Sequence, residues 1–245
     1  MTGQNDGGPA FERALVVAAH PDDPEFGFGA TVAKLADDGV DVYYVICTDG
    51  SQGGEDPAVP DEELIQTRYR EQREAAGVLG VKDVDFLGFR DGHLMPDLSL
   101  RRAIVREIRR RRPDLVLTQT PVREIGDFIG AFHPDHIAAG EATLQAVYPD
   151  ARNPRAFREL LAEGLVPHVV REVWLPAFGG GDHAVDVGGY VERKVEAVSR
   201  HASQLTQSRH REDGGPQRWI EQRLRAQGER VGYEYAEVFR RMRTG

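Results

Sequence analysis

The chain has 245 residues, 40% of them hydrophobic and 29% charged, which is typical of a soluble globular α/β protein with a full core. Its formal net charge of -9 argues against nucleic acid or an anionic membrane as a partner. The single cysteine, Cys47, excludes an intramolecular disulfide and a metal site built from cysteines. We expect a cytoplasmic protein with a flexible tail at residues 1–10, one domain at residues 11–245 and no membrane span.

Short apolar or β-branched runs alternate with stretches of helical periodicity along the chain. In chain order we predict a strand at 14–19, a helix at 26–38, a strand at 42–47, a helix at 61–79, a strand at 84–87, a helix at 100–112, a strand at 115–118, a helix at 134–147, a strand at 169–174, helices at 191–205 and 217–229, and a short closing segment at 233–242. This alternation predicts a Rossmann-like α/β fold. It has a mostly parallel sheet with helices on both faces and an active site at the C-terminal ends of the strands.

Two clusters of metal-binding residue types follow predicted strands. The motif HPDD at 20–23 comes directly after the first strand, and HPDH at 133–136 ends the loop after the fourth strand. Both loops leave the same edge of a parallel sheet, so we expect the clusters to form one site. One such turn alone is ordinary loop chemistry, because Asp and Pro favour turns. Two of them after strands indicate a metal centre, and His and Asp donors suit zinc better than calcium or magnesium.

The spacing within each cluster predicts which residues act together. At a turn or helix start, residues i and i+3 face the same side, which pairs His20 with Asp23 and His133 with His136. The middle carboxylate of each cluster then remains free for another task. A catalytic zinc takes three protein ligands and leaves a position open for water.

These clusters, together with three further motifs, resemble the LmbE-like, or PIG-L-like, zinc N-deacetylases. The further motifs are TDGSQGG at 48–54, the helix containing R-x-x-E at 68–71 and the LGV that follows at 79–81, and LGFRDG at 87–92. The resemblance covers residues 14–147, which we expect to form the core around the metal site. Residues 148–245 match only loosely, and we expect them to supply substrate-side and C-terminal elements.

The resemblance implies that His20, Asp23 and His136 bind Zn²⁺, with another divalent transition metal as an alternative. It implies that Asp22 is the general base for the attack of metal-bound water on an N-acyl amide. The residues alone leave two roles open for His133: a fourth ligand, or a group that stabilises the oxyanion. The resemblance implies the second role, in which His133 also protonates the leaving amine and Asp135 orients His133.

Arg68 and Asp91 resemble residues that line the substrate pocket in the family. The alternative for Arg68 is an ion pair on the helix surface with a neighbouring glutamate, and the alternative for Asp91 is a turn residue in R-D-G. Five histidines lack cluster partners and are interpreted as surface or packing residues: His93, His168, His183, His201 and His210.

The function expected from the resemblance is zinc-dependent removal of an N-acetyl group from an amino sugar or glycoside, a small-molecule substrate. An alternative is an amidase acting on a thiol conjugate or an acylated secondary metabolite, which apolar Phe128, Ile129 and Phe132 near the site would favour. A different class is a non-catalytic metal- or nucleotide-binding module. The sequence leaves a homo-oligomer open.

Overall fold

The computed structural model describes residues 11–123, 132–177, 180–205 and 215–245, so the predicted tail at 1–10 lies outside the described residues. The strands are β1 (Arg13–Ala18), β2 (Asp41–Thr48), β3 (Asp83–Phe89), β4 (Leu115–Thr118), β5 (Glu172–Pro176), β6 (His183–Asp186) and β7 (Ala236–Arg243). The helices are α1 (Asp23–Asp37), α2 (Asp61–Leu79), α3 (Leu98–Arg111), α4 (Pro134–Gln145), α5 (Glu159–Ala162), α6 (Val191–Ser199), α7 (Ala202–Leu205) and α8 (Gly215–Val231). None of the described helices is long and apolar enough to cross a lipid bilayer.

The described strands form one sheet in the order β3-β2-β1-β4-β5-β7-β6. The first five in that order pair in parallel, whereas β7 is antiparallel to both β5 and β6. The predicted α/β class with a mostly parallel sheet is confirmed. The antiparallel end of the sheet was not predicted, because β6 is only four residues long and the segment at 233–242 had no assigned partner.

The central strand β1 is buried on both faces, and its side chains alternate between two apolar clusters. Leu15 and Val17 belong to one cluster, and Ala14 and Val16 belong to the other. All four are inaccessible to solvent. Burying a valine or leucine side chain contributes about 1.5–3 kcal/mol, so this run fixes the centre of the fold.

Two helix boundaries differ from the predicted ones in ways that shape the site. Helix α1 begins at Asp23, before the predicted residue 26, because Pro24 is tolerated in a first turn. The predicted helix at 191–205 is interrupted, and His201 lies between α6 and α7 with no exposed surface. The interruption therefore places a histidine in the interior.

Candidate active site

The two histidine clusters meet where β1 and β4 lie side by side. β1 has β2 on one side and β4 on the other, so the chain winds in opposite directions from this point and a crevice opens at the strand ends. The backbone N–H of Ala19 donates to Oε1 of Gln119 at 2.9 Å, which ties the two loops together. A Cβ at Gly140 would lie 2.3 Å from the backbone oxygen of Gln119, so glycine lets α4 approach this loop closely.

Potential donor atoms of His20, Asp23 and His136 form a tight triangle, in which each histidine faces a different carboxylate oxygen of Asp23. Nδ1 of His20 lies 3.2 Å from Nε2 of His136 and 3.2 Å from Oδ2 of Asp23. Nε2 of His136 lies 3.1 Å from Oδ1 of Asp23. Donors that bind one tetrahedral Zn²⁺ at about 2.0–2.2 Å are about 3.3–3.6 Å apart, which is close to the distances in this triangle, and the donor types also fit this ion. The structure thus brings together the three residues predicted as ligands.

The charges within this triangle favour a bound cation. Burial raises the pKa of Asp23, but the charge of His136 and hydrogen bonds from both histidines outweigh it and hold that pKa well below its usual value. Burial lowers the pKa of His20, but hydrogen bonds to Asp135, Asp23 and Asp91 outweigh it and raise that pKa well above its usual value. A cation at this position would replace the proton that the carboxylates attract.

The second ring nitrogen of His20 faces two carboxylates. Nε2 lies 3.1 Å from Oδ1 of Asp91 and 3.2 Å from Oδ2 of Asp135. Asp135 is held in place by the backbone N–H groups of Gly92 at 2.7 Å and Leu94 at 3.1 Å. This geometry differs from the sequence expectation, because the Asp135 carboxylate contacts His20 and meets His133 only through its backbone. Asp91 is more than a turn residue, since it contacts a candidate ligand.

His133 lies beside the triangle and precedes α4. Its ring centroid is 4.8 Å from that of His20 and 5.4 Å from that of His136. The backbone N–H of Asp135 donates to Nδ1 of His133 at 3.2 Å, so the neutral ring carries its proton on Nε2. Burial and the nearby charges of His20 and His136 lower the pKa of His133, which favours this neutral form.

Asp22 lies next to the triangle but outside it. Oδ2 of Asp22 is 3.4 Å from Nη2 of Arg68. Burial raises the pKa of Asp22 to about 6, against the opposing effect of Arg68 and with a further contribution from Asp23. The two adjacent carboxylates therefore have opposite pKa shifts, although they are neighbours in the sequence.

Arg68 is buried beneath the loop that follows β2. Nη1 donates to the backbone oxygen of Gly50 at 2.8 Å, and Nη2 donates to that of Pro21 at 2.7 Å. A Cβ at Gly53 would lie 2.1 Å from Nη1, so a larger residue there would force the Arg68 guanidinium or this loop to move. The alternative of an ion pair on the helix surface is wrong, because Arg68 is buried, with 4% of its side chain exposed, and contacts these loops.

Sequence reasoning missed three residues that lie behind Asp22, namely Gln72, Glu25 and His201. All three are completely buried and connected by hydrogen bonds. A signal for Glu25 existed, since a glutamate amid the buried residues of a helix start needs a partner. Phe132 lies at the edge of the described residues, whereas Phe128 and Ile129 lie outside them.

Comparison with protein families gives a match over residues 15–147 to the PIG-L family, described as GlcNAc-PI de-N-acetylase. Diacetylchitobiose deacetylase of Thermococcus kodakarensis is 37% identical over 194 residues, which are 79% of this chain and 70% of the relative. The 1D-myo-inositol 2-acetamido-2-deoxy-alpha-D-glucopyranoside deacetylase of Rhodococcus jostii is 33% identical. That match covers 79% of this chain and 82% of the relative.

A solved structure agrees with the sequence comparisons. The N,N'-diacetylchitobiose deacetylase from Pyrococcus horikoshii, complexed with an inhibitor, superposes with a TM-score of 0.86 at 30% identity. The match covers 96% of this chain and 85% of that one.

Proposed function

Because the chain belongs to the PIG-L family of GlcNAc-PI de-N-acetylases and is thus an N-deacetylase, we propose that it removes the acetyl group from the nitrogen of an N-acetylglucosamine-type sugar. The observation that carries the proposal is the triangle of His20, Asp23 and His136 with Asp22 beside it. The relatives named above act on N-acetylated sugars, which supports this substrate class over a thiol conjugate.

We assign Zn²⁺ to the triangle because its donor types and spacing fit that ion. When bound, zinc polarises the amide carbonyl as a Lewis acid and lowers the pKa of water to about 7. Side chains of the protein supply the remaining chemistry. The contacts of Asp91 and Asp135 with Nε2 of His20 fix its ring so that Nδ1 points into the triangle.

Asp22 acts as the general base in this proposal. Its carboxylate accepts a proton from the attacking water and, with a pKa of about 6, can hold that proton and return it to the amine nitrogen when the C–N bond breaks. Arg68 limits how far the Asp22 pKa rises. The carboxylate is therefore available as a base near neutral pH.

His133 stabilises the oxyanion of the tetrahedral intermediate. Its neutral ring presents the Nε2 proton, because Nδ1 is occupied by the backbone N–H of Asp135. A donor fixed before the reaction contributes about 10²–10³-fold to the rate. The lowered pKa of His133 suits donation of a hydrogen bond better than transfer of a proton to the amine, which leaves that step to Asp22.

The test is acetate release by purified protein from N-acetylglucosamine and from diacetylchitobiose, with bound metal measured on the same sample. We expect turnover that is lost on removal of metal by a chelator and restored by Zn²⁺. The variant D22N should keep its metal and lose turnover by about 10²–10⁴-fold, the range for general acid–base catalysis. D97N is the control, since Asp97 caps α3 and asparagine caps equally well.

Two results would contradict different parts of the proposal, namely the substrate class and the identity of the base. Metal-loaded wild-type protein that releases no acetate from any N-acetylated amino sugar would rule out the substrate class. D22N protein with wild-type turnover would leave the substrate class intact and remove Asp22 as the base.

A further inference from the structure

Behind Asp22 lies a row of buried polar side chains that the reaction described above does not use. The backbone N–H of Asp22 donates to Oε1 of Gln72 at 2.8 Å. Nε2 of Gln72 donates to both carboxylate oxygens of Glu25 at 3.0 Å. Nε2 of His201 lies 3.0 Å from Oε2 of Glu25. We call Gln72, Glu25 and His201 the buried polar row.

The row contacts Asp22, whose backbone has a conformation that residues other than glycine rarely adopt. Asp22 has φ 101° and ψ -34°, in the region of positive φ that favours glycine. Such a conformation persists only where the surroundings hold it, and it is concentrated at active sites. Here it separates neighbouring carboxylates, since Asp23 joins the triangle and Asp22 lies beside Arg68.

The orientation of the Gln72 amide follows from its neighbours. A backbone N–H only donates hydrogen bonds, so Oε1 of Gln72 must face the N–H of Asp22 and Nε2 faces Glu25. His201, at the junction of α6 and α7, contacts the Glu25 carboxylate on its other side. Each member of the row thus determines the orientation of the next, and Gln72, at one end of the row, contacts the strained residue Asp22.

We propose that Gln72 is a positioning residue, which holds the backbone of Asp22 so that its carboxylate faces the substrate and stays out of the metal triangle. Glu25 and His201 fix the Gln72 amide in the orientation that this requires. The inference rests on the proposed role of Asp22 as the general base. It concerns a different question, namely how two adjacent aspartates come to have different tasks.

The first test is the variant Q72L, which has a similar volume but cannot accept from Asp22. We expect kcat to fall about 10- to 100-fold, because a displacement of 1 Å at a catalytic group costs about 10²-fold. KM and bound metal should stay near wild-type values, and a crystal structure of the variant should show Asp22 outside the region of positive φ. S203A is a matched control, since Ser203 in α7 donates to Glu71, the neighbour of Gln72 in α2.

The second test exchanges the two functional groups. Q72E places a second carboxylate next to that of Glu25, and their repulsion should lower kcat. Adding E25Q restores a donor opposite an acceptor, because the new amide can donate to residue 72 and accept from His201. The double variant Q72E/E25Q should recover most of kcat. Recovery of kcat at constant metal content separates positioning of the base from a merely structural role.

The outcomes distinguish this inference from the proposed function. Q72L protein with wild-type kcat and an unchanged Asp22 conformation would overturn the positioning role while leaving deacetylation in place. Should Q72L fail to fold, a folded Q72E/E25Q variant that recovers no activity would overturn it instead. Wild-type protein without any deacetylase activity would count against the proposed function, and the Asp22 conformation in Q72L would still decide the structural part.

Discussion

Nε2 of His20 lies 3.1 Å from Oδ1 of Asp91, so a residue on the loop after β3 orients a candidate metal ligand on the loop after β1. Asp91 also accepts from the backbone N–H of Gln52 at 3.0 Å and lies 3.7 Å from Nη1 of Arg68. Its position is therefore fixed from the loop after β2 as well. Three loops that are far apart in the sequence meet at this carboxylate.

The first prediction concerns metal affinity in the variant D91N. Loss of a carboxylate partner on a ligating histidine costs about 10–100-fold in metal affinity, and we expect a loss in that range. Asp135 would still contact His20, so binding should weaken without being abolished. Competition with a chelator measures the affinity. An unchanged affinity combined with a raised KM would instead assign Asp91 to the substrate alone.

The second prediction compares glycine-to-alanine substitutions in two helices. A Cβ at Gly77 in α2 has no atom within 4 Å, so G77A should raise the free energy of unfolding by about 0.5–1 kcal/mol. G140A should lower it by about 1–3 kcal/mol, because a Cβ at 2.3 Å from the Gln119 oxygen forces α4 away from that loop. Urea denaturation measures both, and equal effects of the two variants would contradict the close approach of α4.

The third prediction concerns pH and the buried pair of His201 and Glu25. Burial lowers the pKa of His201, but the hydrogen bond and charge of Glu25 outweigh it and raise that pKa above the usual value. A raised folded-state pKa contributes stability that is present below the unfolded-state pKa of about 6.5 and is lost as pH rises through the folded-state pKa. The free energy of unfolding of the wild type should therefore decline as the pH rises from about 6.5 through the folded-state pKa of His201.

The variant H201Q should remove this part of the pH dependence, and H93Q serves as the control at an exposed position. Unfolding is measured in urea at a series of pH values above 6. Parallel curves for the wild type and H201Q would contradict this prediction, because they would show that folding does not raise the pKa of His201.

The fourth prediction contrasts a buried ion pair with an exposed one. Nζ of Lys194 lies 2.5 Å from Oε1 of Glu237, and both side chains are almost fully buried. K194M leaves the Glu237 carboxylate buried without its hydrogen-bonded cation, and we expect a loss of about 3–5 kcal/mol in the free energy of unfolding. R200A removes an exposed partner of Glu196 four residues away, which should cost about 0.5 kcal/mol or less. Similar losses in both variants would contradict the burial of the pair formed by Lys194 and Glu237.

The local elements of this fold could be predicted from the sequence where strong boundary residues flank them. Helix α2 matches its predicted limits, 61–79, because Pro60 precedes it and Gly80 ends it with φ 82°. β4 also matches, since it is a short apolar run after a proline. Strand β6 could not be predicted, because its four residues form a strand only by pairing with β7.

The candidate site could likewise be predicted only where its contacts are local in the sequence. Spacing within each cluster was enough to pair His20 with Asp23, because both lie within one turn. The contact between Asp135 and His20 spans 115 residues, and nothing local indicates it. His201 was interpreted as a surface or packing residue for the same reason, since its partner Glu25 lies 176 residues away. Residue types are visible in a sequence, whereas their partners depend on how the loops converge.

Two helices begin at the site, α1 at Asp23 and α4 at Pro134, and the direction of both has an electrostatic consequence. The N-terminus of a helix carries about half a positive elementary charge from its aligned peptide dipoles. Both helix ends favour the negative charge that develops on the substrate during amide cleavage. The same potential opposes a divalent cation, which gives a physical reason for a carboxylate among the candidate ligands. Asp23, at the first position of α1, supplies that negative charge where the helix potential is most positive.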